Sequence, residues 1–234
     1  MKAGWFITGT DTGVGKTRVA AALIHALART GKRALGMKPV ASGCDPVDGG
    51  LRSEDARQLM AAANVQADYA DVNPYAFAPA VAPHLAAREA GTAIRLQTVC
   101  DHFARLAAAA DYVVVEGVGG WQVPLGHTLT VAHMAKALDL PIILVVGMRL
   151  GCLNHALLTL ESVRASGLPL AGWVANGIDS QFQLFNENVA SLCERLPAPL
   201  LAVIPHQPPP VSPDVTASFF NLHAVLATVP AVSG

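Results

Sequence analysis

Thr8-Gly9-Thr10-Asp11-Thr12-Gly13-Val14-Gly15-Lys16-Thr17 follows a short apolar run, Trp5-Phe6-Ile7, and precedes an apolar pattern of helical period. Strand, glycine loop and helix in that order make a cradle for nucleotide phosphates. The backbone N–H groups of such a loop converge on phosphate oxygens, and the helix it opens adds the positive end of its dipole. In this reading Lys16 reaches the terminal phosphates and the Thr17 hydroxyl ligates Mg²⁺. Between Gly9 and Gly15-Lys16-Thr17 stand five residues, one more than the common pattern. Binding of ATP or GTP is the expectation from which the rest is read.

Outward from that loop, strand-like apolar runs alternate with helical patterns. Strands are expected near Ala3–Thr8, Arg33–Met37, Tyr112–Glu116, Ile142–Val146, Leu170–Ala175 and Leu200–Ile204. Helices are expected near Lys16–Thr30, Ser53–Ala63, Arg95–Ala109, Thr130–Ala137, Asn154–Ser166 and Phe182–Arg195. Tyr112–Val115 and Ile142–Val146 are apolar on both faces, as strands buried between two helix layers must be. The expectation is an α/β fold: one doubly wound, three-layer domain over residues 1–234, with a mainly parallel sheet of P-loop type. Function then belongs at the carboxyl ends of the strands. Cys44–Gly50 reads as a flexible loop, Pro205–Pro213 as an extended segment denied to helix and central strand by its prolines, and the tail after about residue 228 as poorly ordered.

Composition narrows the function classes. At 234 residues the chain is long enough for one large core, and its net charge of −1 leaves no footprint for nucleic acid. Hydrophobic residues make up 52%, yet the apolar runs, such as Pro141–Val146, are too short to span a bilayer. No secretory signal fits before the glycine loop, and Cys44, Cys100, Cys152 and Cys193 are scattered without C-x-x-C spacing. A reduced, cytoplasmic protein without membrane or nucleic-acid partners is expected.

Several further segments fall at strand ends. Lys38 follows the second strand in Lys38-Pro39-Val40-Ala41-Ser42-Gly43, where an ammonium beside a small hydroxyl residue can meet an anionic reacting group. In Arg52-Ser53-Glu54-Asp55-Ala56, Ser53 suits a helix cap and Glu54 the first turn, while Asp55 can serve the helix dipole or turn inward as a metal ligand. An apolar strand closing in Glu116 supplies a second acid for Mg²⁺, and Gly117-Val118-Gly119-Gly120 beyond it permits close backbone approach to a ligand. Gly151-Cys152-Leu153-Asn154-His155 opens a helix whose N-terminus suits an anion, with Cys152 a structural or binding residue rather than a nucleophile. Asn176, ending the fifth strand before Gly177, can offer donor and acceptor to an adenine edge.

Taken in order, these segments resemble the dethiobiotin synthetase family. The resemblance rests on GTDTGVGKT (Gly9–Thr17), KPVASG (Lys38–Gly43), LRSEDA (Leu51–Ala56), VNPYAF (Val72–Phe77), VEGVGGW (Val115–Trp121), ILVVGMRLGCLNHALLT (Ile143–Thr159), LAGWVAN (Leu170–Asn176) and PAPLLAVIP (Pro197–Pro205), and so runs through most of the chain. It implies ATP- and Mg²⁺-dependent carboxylation of 7,8-diaminononanoate by CO₂ or bicarbonate, with ring closure to a cyclic urea through a carbamate and a carbamic-phosphoric anhydride. By matching position, Gly13, Val14, Gly15, Lys16 and Thr17 hold phosphates, and Thr17, Asp55 and Glu116 gather Mg²⁺. Lys38 is the catalytic cation, seconded by Lys16. Thr12 and Ser42 lie against the diamine or carbamate. Gly117, Val118 and Gly119 run along the nucleotide, and Asn176, Gly177, Pro205, His206 and Gln207 surround its base. The helix start at Gly151, Cys152 and Asn154 resembles the family's anchor for the substrate carboxylate, reached across a two-fold interface, so a homodimer is implied.

Family members often carry an acid where this chain has Gly13 and an Asp where it has Gly177; the first change is expected to loosen control of the diamine, the second to relax the choice of base. The rival reading is a P-loop switch ATPase that positions protein partners. Such proteins usually add a lysine just before the loop's glycines, where this chain has Thr10-Asp11-Thr12, and end in a basic membrane helix, whereas Ala217–Val229 holds no Lys or Arg. An ammonia-using amide synthetase needs a glutaminase domain, for which 234 residues leave little room.

Overall fold

The computed structural model describes residues 4–47, 49–208 and 211–228. In chain order its elements are β1 (Gly4–Gly9), α1 (Lys16–Arg29), β2 (Ala34–Met37), β3 (Val40–Ser42), β4 (Asp45–Val47), β5 (Gly50–Arg52), α2 (Glu54–Ala62), α3 (Tyr69–Val72), β6 (Tyr75–Phe77), α4 (Pro83–Glu89), α5 (Leu96–Ala109), β7 (Tyr112–Glu116), α6 (Val131–Leu138), β8 (Ile142–Met148), α7 (Cys152–Ser166), β9 (Leu170–Gly177), α8 (Phe185–Cys193), β10 (Leu200–Ile204), α9 (Pro213–Ala217) and α10 (Leu222–Ala227). Six strands form a central sheet in the order β10-β9-β8-β1-β7-β2, with every pairing parallel. All six expected strands are there, within three residues of their expected ends.

Alternation along the strands explains the layers. Phe6 faces the core shared with α5 and α6, together with Met37, Val113, Val115 and Ile142. Its neighbours Trp5 and Ile7 face the opposite core, where Val19, Leu23, Ile24 and Leu27 of α1 meet Val114, Ile143 and Val145. Val19, Leu23 and Leu27 recur every four residues, with Ile24 beside them three before Leu27, the stripe a helix must present to a sheet. Each of the central strands is therefore apolar on both faces, and β8 is buried at all seven residues. A third cluster, around Leu144, Trp173 and Leu192, seats α7 and α8.

Two segments depart from expectation. Where a loop is expected over Cys44–Gly50, Asp45–Val47 and Gly50 belong to strands: β4 and β5 pair antiparallel, with Pro46 opposite Leu51 and Asp45 opposite Arg52. The segment's Pro, Gly and Asp content resembles a turn, but a two-stranded ribbon tolerates a proline on its outer edge. Pro213 does not continue the extended segment. It stands at the first position of α9, where its missing N–H costs nothing, and Ser212 caps the helix by accepting from the Asp214 N–H. The expectation of disorder after about residue 228 lies outside the described residues.

β1 is central to the sheet, between β7 and β8. Its loop therefore opens at the carboxyl edge, where the chain has crossed from one side of β1 to the other between β7 and β8. That is the crevice in which doubly wound sheets hold ligands.

Candidate active site

The phosphate loop is shaped by its glycines and held from below. Gly13 and Gly15 stand at φ +74° and +89°, a region side chains rarely adopt. A Cβ at Gly15 would lie 2.2 Å from the Asn176 amide nitrogen. That nitrogen donates to the Val14 carbonyl at 2.8 Å, which ties the loop to the end of β9. An amide nitrogen carries two N–H groups; one of them is committed to Val14, and the buried Oδ1 has no protein partner.

A cleft of about 710 Å³ opens above the loop. Of the residues picked from the sequence, Thr12, Gly13, Gly15, Lys16, Thr17, Lys38, Ser42, Asp55, Glu116, Val118 and Gly119 line it. They come from the loop after β1 with the start of α1, from the stretch between the end of β2 and the end of β3, from the first turn of α2, and from the end of β7 and the loop after it, so four distant stretches of sequence converge.

The convergence is polar and tightly paired. Thr17 Oγ1 stands 2.9 Å from both Asp55 Oδ1 and Glu116 Oε1. Lys38 Nζ stands 2.7 Å from Asp55 Oδ2 and 2.7 Å from Glu116 Oε1, and donates to the Gly117 carbonyl at 3.2 Å. The open alternative for Asp55 is thereby resolved: it turns inward. Ser53 is the cap of α2, accepting from the Ala56 N–H. Lys16 is buried and donates to the Asp11 carbonyl at 2.9 Å.

Burial sets the charge states. Burial pulls Lys38 down, but Glu116 and Asp55 together more than offset this and hold its ammonium above the ordinary lysine value. Glu116 is pushed up by burial further than Lys38 draws it down. Burial also raises Asp55, yet Lys38 and the Thr17 hydroxyl bring it below the usual carboxylate range. Lys16 falls to about 8, first through burial and then through repulsion by Lys38.

The remaining residues lie around this centre. Gly177 ends β9 directly against the turn that follows β10: a Cβ there would come within 2.6 Å of the His206 nitrogen. Pro205 and His206 are exposed and Gln207 is half-buried. Gly151, Cys152 and Asn154 are not brought to the cleft. Gly151 caps α7 and, like Asn154, is exposed, while Cys152 turns its thiol into the core beneath α7. Arg149, just before that helix, reaches Asp11 of the phosphate loop at 2.7 Å.

Sequence reasoning missed two parts of the site. Ala80, Val81, Ala82, Pro83 and Val123 wall the cleft, and small apolar residues carry no chemical signature. Asn73 is a buried prop: its amide donates to the Lys38 carbonyl at 2.6 Å, and its Oδ1 accepts from the Tyr69 hydroxyl at 2.8 Å. The Tyr69 hydroxyl in turn accepts from the Ser53 N–H. Its placement before Pro74 in a matched motif was the available signal.

Comparison with known proteins agrees with this geometry. A family model described as "AAA domain" matches residues 3–214. The ATP-dependent dethiobiotin synthetase BioD of Xylella fastidiosa (strain 9a5c) is 50% identical over 92% of this chain and 95% of its own. That of Nitrosospira multiformis is 51% identical over 88% and 89%. Among solved structures, a ParA family ATPase from Chlorobium tepidum has a TM-score of 0.55 at 17% identity, covering 88% of this chain and 86% of its own. The MinD-containing MinC:MinD complex of Aquifex aeolicus gives 0.55 at 18%, over 88% and 82%. At such identities these two show the fold alone. With its P-loop sheet, its paired cleft and half its residues shared with those synthetases, the chain belongs to the ATP-dependent dethiobiotin synthetase family.

Proposed function

We propose that the cleft converts 7,8-diaminononanoate, CO₂ and ATP into dethiobiotin, ADP and phosphate, a step of biotin synthesis, with residues 1–234 acting as one domain. The observation that carries this reading is the Lys38 ammonium, buried between two carboxylates at the rim of a phosphate loop. A carbamate formed on one amine is a weak and easily lost nucleophile. Holding its oxygen in line with the γ-phosphate is worth up to about 7–11 kcal/mol in the ideal case. Lys38 and Lys16 supply the fixed cations that such an anion and the transferred phosphoryl group require. Phosphoryl transfer releases ADP and activates the carbamate carbon; the second amine then attacks that carbon, and phosphate leaves as the ring closes. Thr12 and Ser42, both lining the cleft, are assigned to the diamine and carbamate. The buried Ser42 hydroxyl has no protein partner, as a substrate contact requires.

Thr17, Asp55 and Glu116 present a hydroxyl and two carboxylates, an all-oxygen set suited to Mg²⁺, and the buried Glu116 Oε2 has no protein partner. Mg²⁺ held there would supply positive charge against the phosphates during transfer. Gly13, Val14, Gly15, Gly117, Val118 and Gly119 are assigned to the nucleotide's phosphates and sugar, and Asn176, Gly177, Pro205, His206 and Gln207 to its base. The carboxylate anchor at Gly151, Cys152 and Asn154 serves the cleft of a second copy, which makes the active unit a homodimer. Leu150 and Leu158, 92% and 57% exposed beside that anchor, support such an interface. Four free cysteines fit a reducing, cytoplasmic setting. Among the described residues no helix is long and apolar enough to cross a membrane.

Phosphate release from Mg-ATP and bicarbonate, measured with and without 7,8-diaminononanoate, tests the proposal. Phosphate should appear only with the diamine and match dethiobiotin one to one. Hydrolysis independent of the diamine would favour the switch-ATPase reading instead.

A further inference from the structure

Arg18, one residue beyond Thr17 in the first turn of α1, is bonded at both ends of its guanidinium. Nε donates to the fully buried Thr216 hydroxyl at 3.1 Å, and Nη2 donates to Gln207 Oε1. The first bond joins α1 to α9. That junction is already held by Asp214, which lies 2.6 Å from Arg29 Nη1 and 3.3 Å from His25 Nε2. The second bond reaches the turn after β10, which has little else to fix it. Among the described residues, Pro205, His206, Gln207 and Pro208 make no backbone–backbone hydrogen bond. The turn is therefore set by its contact with Gly177 at one end and by Arg18 at the other.

From this we infer that Arg18 is a positioning residue for the nucleotide base: it anchors the 205–207 turn to the phosphate-binding helix. The inference rests on the reading that this turn lies against the base. Arg18 bridges from the helix that carries Lys16 and Thr17 to the turn, so phosphates and base are gripped by one rigid element.

Arg18→Ala should raise the KM for ATP about tenfold, the size of one hydrogen bond to a charged group, with kcat and the KM for the diamine unchanged. Arg18→Lys should recover part of the loss. Inorganic tripolyphosphate, used as a competitor of ATP, should inhibit the wild type and Arg18→Ala equally, because it has no base for the turn to hold. An unchanged KM for ATP would overturn the inference, even if thermal stability fell, since the clamp would then be structural. Equal weakening of ATP and tripolyphosphate would also overturn it, by showing that Arg18 acts on the phosphates through its charge. Photolabelling with 8-azido-ATP separates the two layers of the argument. Label on Pro205–Gln207 in the wild type, lost in Arg18→Ala, supports both. Label there that Arg18→Ala retains leaves the base site standing and removes Arg18. Label elsewhere removes the base site and, with it, the role given to Arg18.

Discussion

The Lys38 ammonium lies 2.7 Å from the Glu116 carboxylate, and the two side chains are 4% and 1% exposed. Neither can exchange its partner for water. Removing Lys38 leaves the buried Glu116 without its cation, a defect costing about 3–5 kcal/mol that removing Glu116 as well relieves. Removing Glu116 alone leaves Lys38 still 2.7 Å from Asp55. The Lys38–Glu116 pair is thus a structural joint between the end of β2 and β7 as well as the proposed reactive centre, and the two roles should separate on mutation.

Lys38→Ala should abolish dethiobiotin formation, by about 10³-fold or more in kcat, while ATP still binds. Its melting temperature should fall and recover in part when Glu116→Gln is added. Substantial residual turnover would remove Lys38 from the chemistry, and additive stability losses would dissolve the joint.

Glu116→Gln keeps the side chain's shape and removes its charge. The Mg²⁺ concentration needed for half-maximal activity should rise by about tenfold or more, with a smaller change in the KM for the diamine. An unchanged metal titration would refute ligation by Glu116.

Proton uptake should accompany nucleotide binding above pH 8. The Lys16 ammonium, lowered to about 8 from an ordinary 10.5, is largely neutral at pH 9 in the free protein. An unfolded lysine stays charged there, so Lys16 makes folding more favourable as pH rises from about 8 to 10.5. Phosphate oxygens reverse the balance and restore the proton, so ATP affinity should fall as pH climbs through this window. Calorimetry at pH 9 in buffers of different ionisation heat should show close to one proton taken up per ATP bound. Binding without uptake would place Lys16 away from the phosphates.

Leu158→Asp should weaken self-association by about 30-fold if that leucine is an interface anchor. Sedimentation should then show monomer at concentrations where the wild type is dimeric, with the KM for the diamine raised more than that for ATP. A variant that stays dimeric and active would move the interface elsewhere.

How much was legible in the sequence depended on whether the information was local. The phosphate loop was readable because strand, glycines, Lys16 and Thr17 are contiguous. Lys38 and Glu116 stood out because each ends a strand apolar enough to be recognised. Asp55 was ambiguous, since a carboxylate in the first turn of a helix serves the dipole whether or not it also faces a cleft. Only the meeting of α2 with Thr17 and Lys38 decides it. The wall from Ala80 to Pro83, the Asn73 prop and the hydrogen bond from Asn176 to Val14 are products of tertiary packing, which residue type does not announce. The β4–β5 hairpin was hidden for the opposite reason, because its composition argued for a loop.

The position of β1 has a consequence for the chain as it is made. Both strands that flank it are encoded far downstream, at Tyr112–Glu116 and Ile142–Met148. Until they emerge, the glycine loop has a strand to follow but no sheet to stand on, and its tether, Asn176, comes later still. Nucleotide binding should therefore arrive late and all at once during synthesis, as expected where contacts distant in sequence must form together. A half-made chain stalled before β8 should neither bind ATP nor resist protease. The growing polypeptide thus stays silent toward the cell's nucleotide pool until the machinery that uses it is complete.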